Sequence, residues 1–197
     1  VKRLFDLLVS SLALLVLSPV FLVIACWIKW DSKGPVFFRQ TRVGRYETSF
    51  KIIKFRSMIS VQADGAPQLT VGRDTRITRC GAWIRKTKLD ELPQLLNVWM
   101  GHMSLVGPRP EVPKYVALYS EDDRALVFSV RPGITDEASI EYRQESQILA
   151  QATDPEAAYR TVVLPDKLKY YRAYVREHSL WGDLSILWRT VWLVLRP

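Results

Sequence analysis

Cysteine and histidine are scarce in this 197-residue chain. Cys26 and Cys80 are too few for a disulfide framework and have no metal-ligand spacing, which fits a reducing, cytoplasmic setting. With only His102 and His178 in the sequence, a histidine-based metal site or catalytic triad is disfavoured. There is no Walker loop, no glycine-rich dinucleotide fingerprint and no Gly-x-Ser-x-Gly elbow. Nucleic-acid modules leave recognisable patterns and none occurs, so no nucleic-acid partner is expected in spite of a net charge of +8. Repeats and low-complexity tracts are absent as well.

Charge itself is missing from Leu7 to Ile28, a run of 22 residues. A bilayer crossing needs about 20 apolar residues, so length permits one. The flanks are basic on both sides, with Lys2 and Arg3 before the run and Lys29, Lys33, Arg39, Arg42 and Arg45 after it. Basic residues favour the cytoplasmic side, so this charge sets no direction across. Pro19 removes an amide donor and disfavours helix at Ser18. Two readings follow. One is a spanning helix kinked at Pro19, which membranes tolerate. The other is a bent helix that enters and leaves by the same face, its first limb (residues 4–18) reaching about 22 Å into a hydrocarbon core of about 30 Å. There the Ser18 hydroxyl would serve the freed carbonyls. A secretory signal peptide fits poorly, because the run is long and no small-residue cleavage pattern follows.

The residues beyond this run suffice for one compact domain with its own core. A basic protein with a membrane segment suits anionic lipid headgroups or phosphorylated substrates. The chain starts at Val1 rather than Met, which leaves room for a preceding segment.

A hairpin is expected over 35–58, with strands at Val36-Phe37-Phe38 and Phe50 to Arg56 and a turn around Gly44-Arg45-Tyr46-Glu47. Residues 60–76, with Gly65, Pro67 and Gly72, read as a loop. Helices are expected from Thr78 to about Lys86 and from Asp90 to Trp99, the second capped by Asp90, with Pro93 in its first turn and Gly101 after its end. Pro108-Arg109-Pro110 is extended. Helices at 111–119, 121–129 and 165–177 follow, with a turn at Arg131-Pro132-Gly133, and 135–155 is polar and weakly patterned. At the C-terminus, Trp181, Leu184, Leu187, Trp188, Val191, Trp192 and Leu195 follow helical spacing. That stripe either lies in a membrane interface or packs on the core.

Chemistry centres on Asp90-Glu91, adjacent carboxylates after the basic Arg85, Lys86 and Lys88. One carboxylate could attack phosphorus while the other holds Mg²⁺; alternatively the pair simply caps a helix. Arg109, locked between prolines, suits bidentate phosphate binding or a structural ion pair. Lys54 and Arg56, two apart on a strand, share a face that lines a phosphate site or is simply solvated. Arg73, Arg76 and Arg79 step by three and could face a membrane or a diphosphate.

These stretches together resemble the bacterial sugar transferases, also called monotopic phosphoglycosyl transferases. The matching segments are Lys2-Arg3-Leu4-Phe5-Asp6, Leu17-Ser18-Pro19, Phe50 to Met58, Leu89-Asp90-Glu91-Leu92-Pro93-Gln94, Met103 to Glu111 and Arg131 to Thr135. The resemblance implies transfer of a phospho-sugar from a UDP-sugar to polyprenol phosphate, with UMP released, at the cytoplasmic face of the bacterial inner membrane. It assigns Asp90 as nucleophile and Glu91 to Mg²⁺. By the same resemblance Arg85 and Arg109 would neutralise the diphosphate; Lys54 and Arg56, placed by their strand spacing, would line the same phosphate site. It also implies a re-entrant helix bent at Ser18-Pro19, with Lys2 and Arg3 anchoring its start, and it leaves room for a homodimer.

The expected fold class is therefore α+β. A re-entrant membrane helix-break-helix over 1–30 precedes a cytoplasmic catalytic domain over 31–197. That domain holds a small β-hairpin, is otherwise mostly helical, and carries interfacial amphipathic helices, the last over 181–195. Two segments depart from the family pattern: His102 replaces a carboxylate in Gly101-His102-Met103-Ser104, and Asp136 to Arg143 replaces a common Gly-x-Ala-Gln-Val-Asn-Gly-Arg. A reading from another class is a non-catalytic, membrane-anchored module that binds acidic lipids or partner proteins. It accounts for charge and tryptophan but leaves Asp90-Glu91 and Arg109 unexplained.

Overall fold

The computed structural model describes residues 1–59, Leu69, Gly72 and 74–195. Most of the expected loop over 60–76, including Gly65 and Pro67, lies outside the described residues, as does Arg73.

The first helix, α1, runs unbroken over Lys2–Asp31 with Pro19 inside it. A residue-19 amide would have bonded the Leu15 carbonyl, and proline cannot. The Ser18 hydroxyl donates to that same carbonyl at 2.8 Å. This substitution explains why the expected break is a proline-containing turn of one continuous helix.

One stripe of α1 packs along its whole length. Phe5, Val9, Ala13, Leu14 and Leu17 rest on a cluster built by Phe50, Ile52, Leu95, Val98, Met103, Leu105, Val106 and Ile186. Further on, Ile24 and Ile28 share a second cluster with Phe55, Cys80 and Ile84. Ile24 and Ile28 are fully buried and each contribute about 1.5–3 kcal/mol; the partly buried residues of the first group contribute less. Polar contacts fix both ends to the same body: Arg3 donates to the carbonyls of Val98 and Trp99, the buried Asp6 accepts from the Leu105 amide, and Asp31 accepts from the Cys80 amide. Between these ends, Leu15, Val16, Ser18, Pro19 and Val20 are all exposed.

The hairpin forms as expected. Strand β1 (Phe37–Val43) pairs antiparallel with β2 (Ser49–Phe55), in register from Phe37 opposite Phe55 to Val43 opposite Ser49. Helix α2 (Arg79–Lys86) is capped by Thr78, whose hydroxyl accepts from the Gly81 amide. The expected helix from Asp90 to Trp99 is divided into a 3-10 turn over Leu89–Glu91 and helix α3 (Gln94–Trp99). Pro93 is the reason: it has no amide to extend the turn, so Leu92 bonds back only as far as Leu89.

A second, parallel pairing joins β3 (Ser104–Val106) to β4 (Gly133–Thr135), where only a turn at 131–133 was expected. Gly107 and Gly133 permit it, because a Cβ on Gly133 would lie 2.1 Å from the Gly107 nitrogen. Short helices α4 (Pro113–Val116) and α5 (Glu121–Val127) lie between these strands in sequence. The polar stretch after β4 forms α6 (Glu137–Glu141) and α7 (Glu145–Ala150), then α8 (Pro155–Ala158), a π-turn, α9 (Leu164–Glu177) and α10 (Leu180–Leu195). Tyr115, Val116, Phe128, Tyr159, Leu164, Leu168 and Tyr171 form the third cluster beneath them.

Candidate active site

The Asp90-Glu91 pair is set where three elements meet. Two residues beyond the end of α2, Lys88 is a non-glycine residue in the left-handed region (φ 58°), and this reversal starts the 3-10 turn. Asn97 then ties α3 to the hairpin. Its fully buried amide accepts from the Ile53 amide at 2.9 Å and donates to the Lys51 carbonyl at 2.8 Å. That clamp sets the acidic turn against Lys54.

Asp90 is 8% exposed and accepts no hydrogen bond among the described residues. It caps no helix, since Pro93 occupies the N-cap position of α3, so the capping alternative does not hold. Burial raises its carboxyl pKa above the ordinary aspartate value, and Glu91 adds to this; Lys54, Arg85 and Lys88 pull the other way.

Glu91 contrasts with its neighbour. Lys54 donates to its Oε1 at 2.7 Å, and Arg109 grips both oxygens, with Nη1 to Oε2 at 3.2 Å. Burial works to raise this carboxyl, but Arg109 and Lys54 outweigh it and hold it well below the usual range. Burial lowers the Lys54 ammonium, against the pull of Glu91. One carboxylate is thus held ionised between two cations while the one beside it stays open.

Arg109 is positioned by its neighbours' carbonyls, because the flanking prolines have no amides to offer. The Pro108 carbonyl accepts from the Gly133 amide at 2.9 Å and the Pro110 carbonyl from Arg42 at 3.0 Å. Next to this segment, Val43 at the end of β1 donates its amide to the Glu111 carbonyl. The sequence offered no signal for Arg42. Asn97 had one, a lone amide inside the apolar run Leu95 to Trp99.

Lys54, Glu91 and Arg109 are brought together, and Arg85 lies close enough to favour ionised Asp90 while its Nη1 contacts Met58 sulfur at 3.6 Å. Arg56 does not join them, and this corrects the shared-face expectation. Strand β2 ends at Phe55, and the buried Arg56 turns to the end of α1, donating to the carbonyls of Ile28, Ser32 and Lys33 and to the Ser32 hydroxyl. A cation over a helix C-terminus satisfies orphan carbonyls and the helix dipole, so its role is structural. Arg76 pairs with Asp74.

Among the described residues no three His, Cys, Asp or Glu side chains cluster around a common point. Magnesium needs only one or two carboxylates, with phosphate oxygens and waters completing its octahedron. Glu91 Oε2 carries one contact, at 3.2 Å, and Asp90 is open, so this donor set fits such an ion.

The departures from the family pattern have local explanations. His102 is exposed and stacks on Phe50 with ring centroids 5.8 Å apart. Asp136 is buried as the cap of α6, accepting from the Ser139 amide and hydroxyl.

Apolar side chains show a further pattern: all seven tryptophans are exposed. They are Trp27, Trp30, Trp83, Trp99, Trp181, Trp188 and Trp192. On α10, Asp183 and Ile186 face inward while Trp181, Leu184, Trp188, Val191 and Trp192 do not, so the stripe as a whole does not pack on the core.

The sequence profile described as bacterial sugar transferase matches residues 1–197. The chain belongs to this family. Its similarity to individual transferases covers nearly all of its length. It is 40% identical over 197 residues to the UDP-glucose:undecaprenyl-phosphate glucose-1-phosphate transferase of Klebsiella pneumoniae, covering 96% of this chain and 39% of that protein. It is 36% identical to the UDP-N-acetylgalactosamine-undecaprenyl-phosphate N-acetylgalactosaminephosphotransferase of Aeromonas hydrophila, covering 99% of this chain and 44% of that one. With the exopolysaccharide production protein PSS of Rhizobium leguminosarum bv. phaseoli it shares 43% identity across 96% of this chain and 92% of that protein. This bacterial sugar transferase therefore spans about two fifths of the first two relatives and nearly all of the third.

Proposed function

We propose that this chain transfers a phospho-sugar from a UDP-sugar to polyprenol phosphate through a covalent aspartyl intermediate. One observation carries the reading: Asp90, a buried carboxylate with no hydrogen bond among the described residues, beside Glu91, a carboxylate held ionised by Lys54 and Arg109. A nucleophile needs free lone pairs, and an electrostatic scaffold needs fixed charge.

In the first step an Asp90 oxygen attacks the sugar-bearing phosphorus. The Asp90–phosphorus bond forms, the bridging phosphorus–oxygen bond of the diphosphate breaks, and UMP leaves with the electron pair. In the second, a polyprenol phosphate oxygen attacks the same phosphorus and Asp90 departs as a free carboxylate. Arg109, Lys54 and Arg85 offset charge on the phosphoryl oxygens, where positioning and neutralisation do most of the work. Glu91 is the side chain that would hold Mg²⁺, which would add charge neutralisation at the diphosphate.

The membrane placement follows the same reading, with residues 1–30 as the membrane segment and 31–197 as the cytoplasmic catalytic body at the bacterial inner membrane. Three observations support a re-entrant α1: both its ends bond to one body, Leu15, Val16, Ser18, Pro19 and Val20 at its middle are exposed, and it is long and apolar enough to enter a bilayer. Exposed tryptophans suit the headgroup level, which favours α10 as an interfacial helix. The test is UMP release from a panel of UDP-sugars with polyprenol phosphate. Release that requires Asp90 supports the reading, and unchanged release by Asp90→Asn refutes it.

A further inference from the structure

Away from Asp90, at the start of α1, a cleft of about 160 Å³ is lined by Lys2, Arg3, Asp6, Arg45, Arg131 and His178, among others. Its charge is unbalanced. Lys2 is paired with Asp183. Asp6 is buried and accepts the Leu105 amide. Arg3, Arg45 and Arg131 have no ion pair with any described carboxylate, and each bonds only to main-chain carbonyls.

The bonding leaves particular donors available. Arg45 donates through Nε to the Ser129 carbonyl at 2.8 Å, and Arg131 through Nε to the Gly101 carbonyl at 2.9 Å. Each keeps both Nη groups free of described partners, and that fork is the end of arginine that matches two phosphate oxygens. Both guanidiniums are held, so little ordering remains to oppose binding: Arg45 stacks 4.4 Å over the Tyr46 ring, and Arg131 is half-buried. Burial, then Arg3 and Arg45, depress the Arg131 pKa, and the buried Asp6 opposes them only in part.

Size and surroundings narrow the ligand. Clefts for nucleotide-sized molecules run to about 300–1,000 Å³, so this one takes a single small anion rather than a whole nucleotide-sugar. Exposed apolar residues adjoin the cleft's arginines: Leu4 follows Arg3 in sequence, Trp99 offers its carbonyl to Arg3, and Met100 precedes Gly101, whose carbonyl holds Arg131. An anion with hydrocarbon attached matches cations beside such residues. None of Lys54, Arg85, Asp90, Glu91 and Arg109 lines this cleft, so the two cationic centres are separate.

We infer that the cleft formed by Arg3, Arg45 and Arg131 binds a phosphate group, with an anionic phospholipid headgroup as its source at the membrane surface. The lipid source rests on the membrane placement proposed above, whereas phosphate binding itself does not. Occupancy would lock the start of α1 to the body at the level where the helix enters lipid.

The experiment uses the full chain in phosphatidylcholine nanodiscs doped with phosphatidylglycerol, with native mass spectrometry counting retained lipid. Arg45→Gln and Arg131→Lys are compared with the unsubstituted chain, and Asp90→Asn serves as a control outside the cleft. Circular dichroism establishes that each variant is folded, and UMP release confirms it for the two arginine variants. The unsubstituted chain and Asp90→Asn are expected to retain one phosphatidylglycerol. Arg45→Gln should weaken retention about ten-fold, as loss of one charge-assisted contact would, and Arg131→Lys should weaken it by less. Inorganic phosphate at millimolar concentration provides the second arm. Failure to displace the lipid supports the headgroup source, and displacement assigns the same site to free phosphate. Equal retention by Arg45→Gln and the unsubstituted chain, with no effect of phosphate, would overturn the inference whatever the outcome at Asp90.

Discussion

Lys54 on β2 and Glu91 on the acidic turn meet at 2.7 Å, across elements 37 residues apart in sequence. That contact fixes which carboxylate is the scaffold and which is left open. Lys54 also favours ionised Asp90. Lys54→Met is therefore expected to raise the Asp90 pKa further and move the acid limb of kcat/KM to higher pH. The sign is explicit. Asp90 already lies above its unfolded value, so the folded state binds more protons in that window and stability falls as pH rises through it, while the ionised nucleophile, and activity with it, increases. A pH–rate profile checks this; an acid limb that stays in place or moves down would count against the arrangement.

Arg56 caps the end of α1, whereas Arg109 grips Glu91 and is the charge proposed to face substrate. Arg56→Met removes a buried cap from α1 and should cost about 3 kcal/mol of stability with little change in KM for UDP-sugar. Arg109→Met should raise KM or lower kcat at least about ten-fold. Denaturant unfolding and steady-state kinetics on both variants read the two effects independently.

Asn97→Leu should be among the more damaging single changes on α3. It leaves the Ile53 amide and the Lys51 carbonyl without their buried partner, at a cost of about 2–4 kcal/mol. The acidic turn also loses its register on the hairpin, so activity should fall even in the fraction that stays folded.

Topology has its own test. Single cysteines placed at positions 2 and 33, in a background without Cys26 and Cys80, should be labelled from the same side of the membrane. Ser18→Ala removes the donor to the Leu15 carbonyl and should destabilise the lipid-embedded protein by about 0.5–1.5 kcal/mol. Labelling from opposite sides would identify a spanning helix while leaving the chemistry intact.

What could be read in advance was what local chemistry dictates. Alternating aromatic and β-branched residues around Gly44 specified the hairpin, Thr78 announced α2, and two prolines announced a stiff Arg109. The miss at Arg56 came from extending the period-two alternation one residue beyond Phe55, where the strand had already ended. The parallel pairing of β3 and β4 was illegible because three-residue strands carry no period, and its real determinant is the close approach of Gly107 and Gly133. Helices α6 and α7 lacked an apolar stripe; Asp136 starts the first as a buried cap. The acidic pair was visible, but the difference between its members was not, because it depends on Lys54 and Arg109 arriving from distant segments.

Intact mass measurement of the membrane-reconstituted chain, incubated with a UDP-sugar and no polyprenol phosphate, tests the central claim most directly. A mass gain of one phospho-sugar, localised to Asp90 by peptide fragmentation and lost on adding polyprenol phosphate, is the predicted result. An unmodified chain that still produces polyprenol diphosphate sugar at the normal rate when Asp90 is replaced by Asn would contradict it.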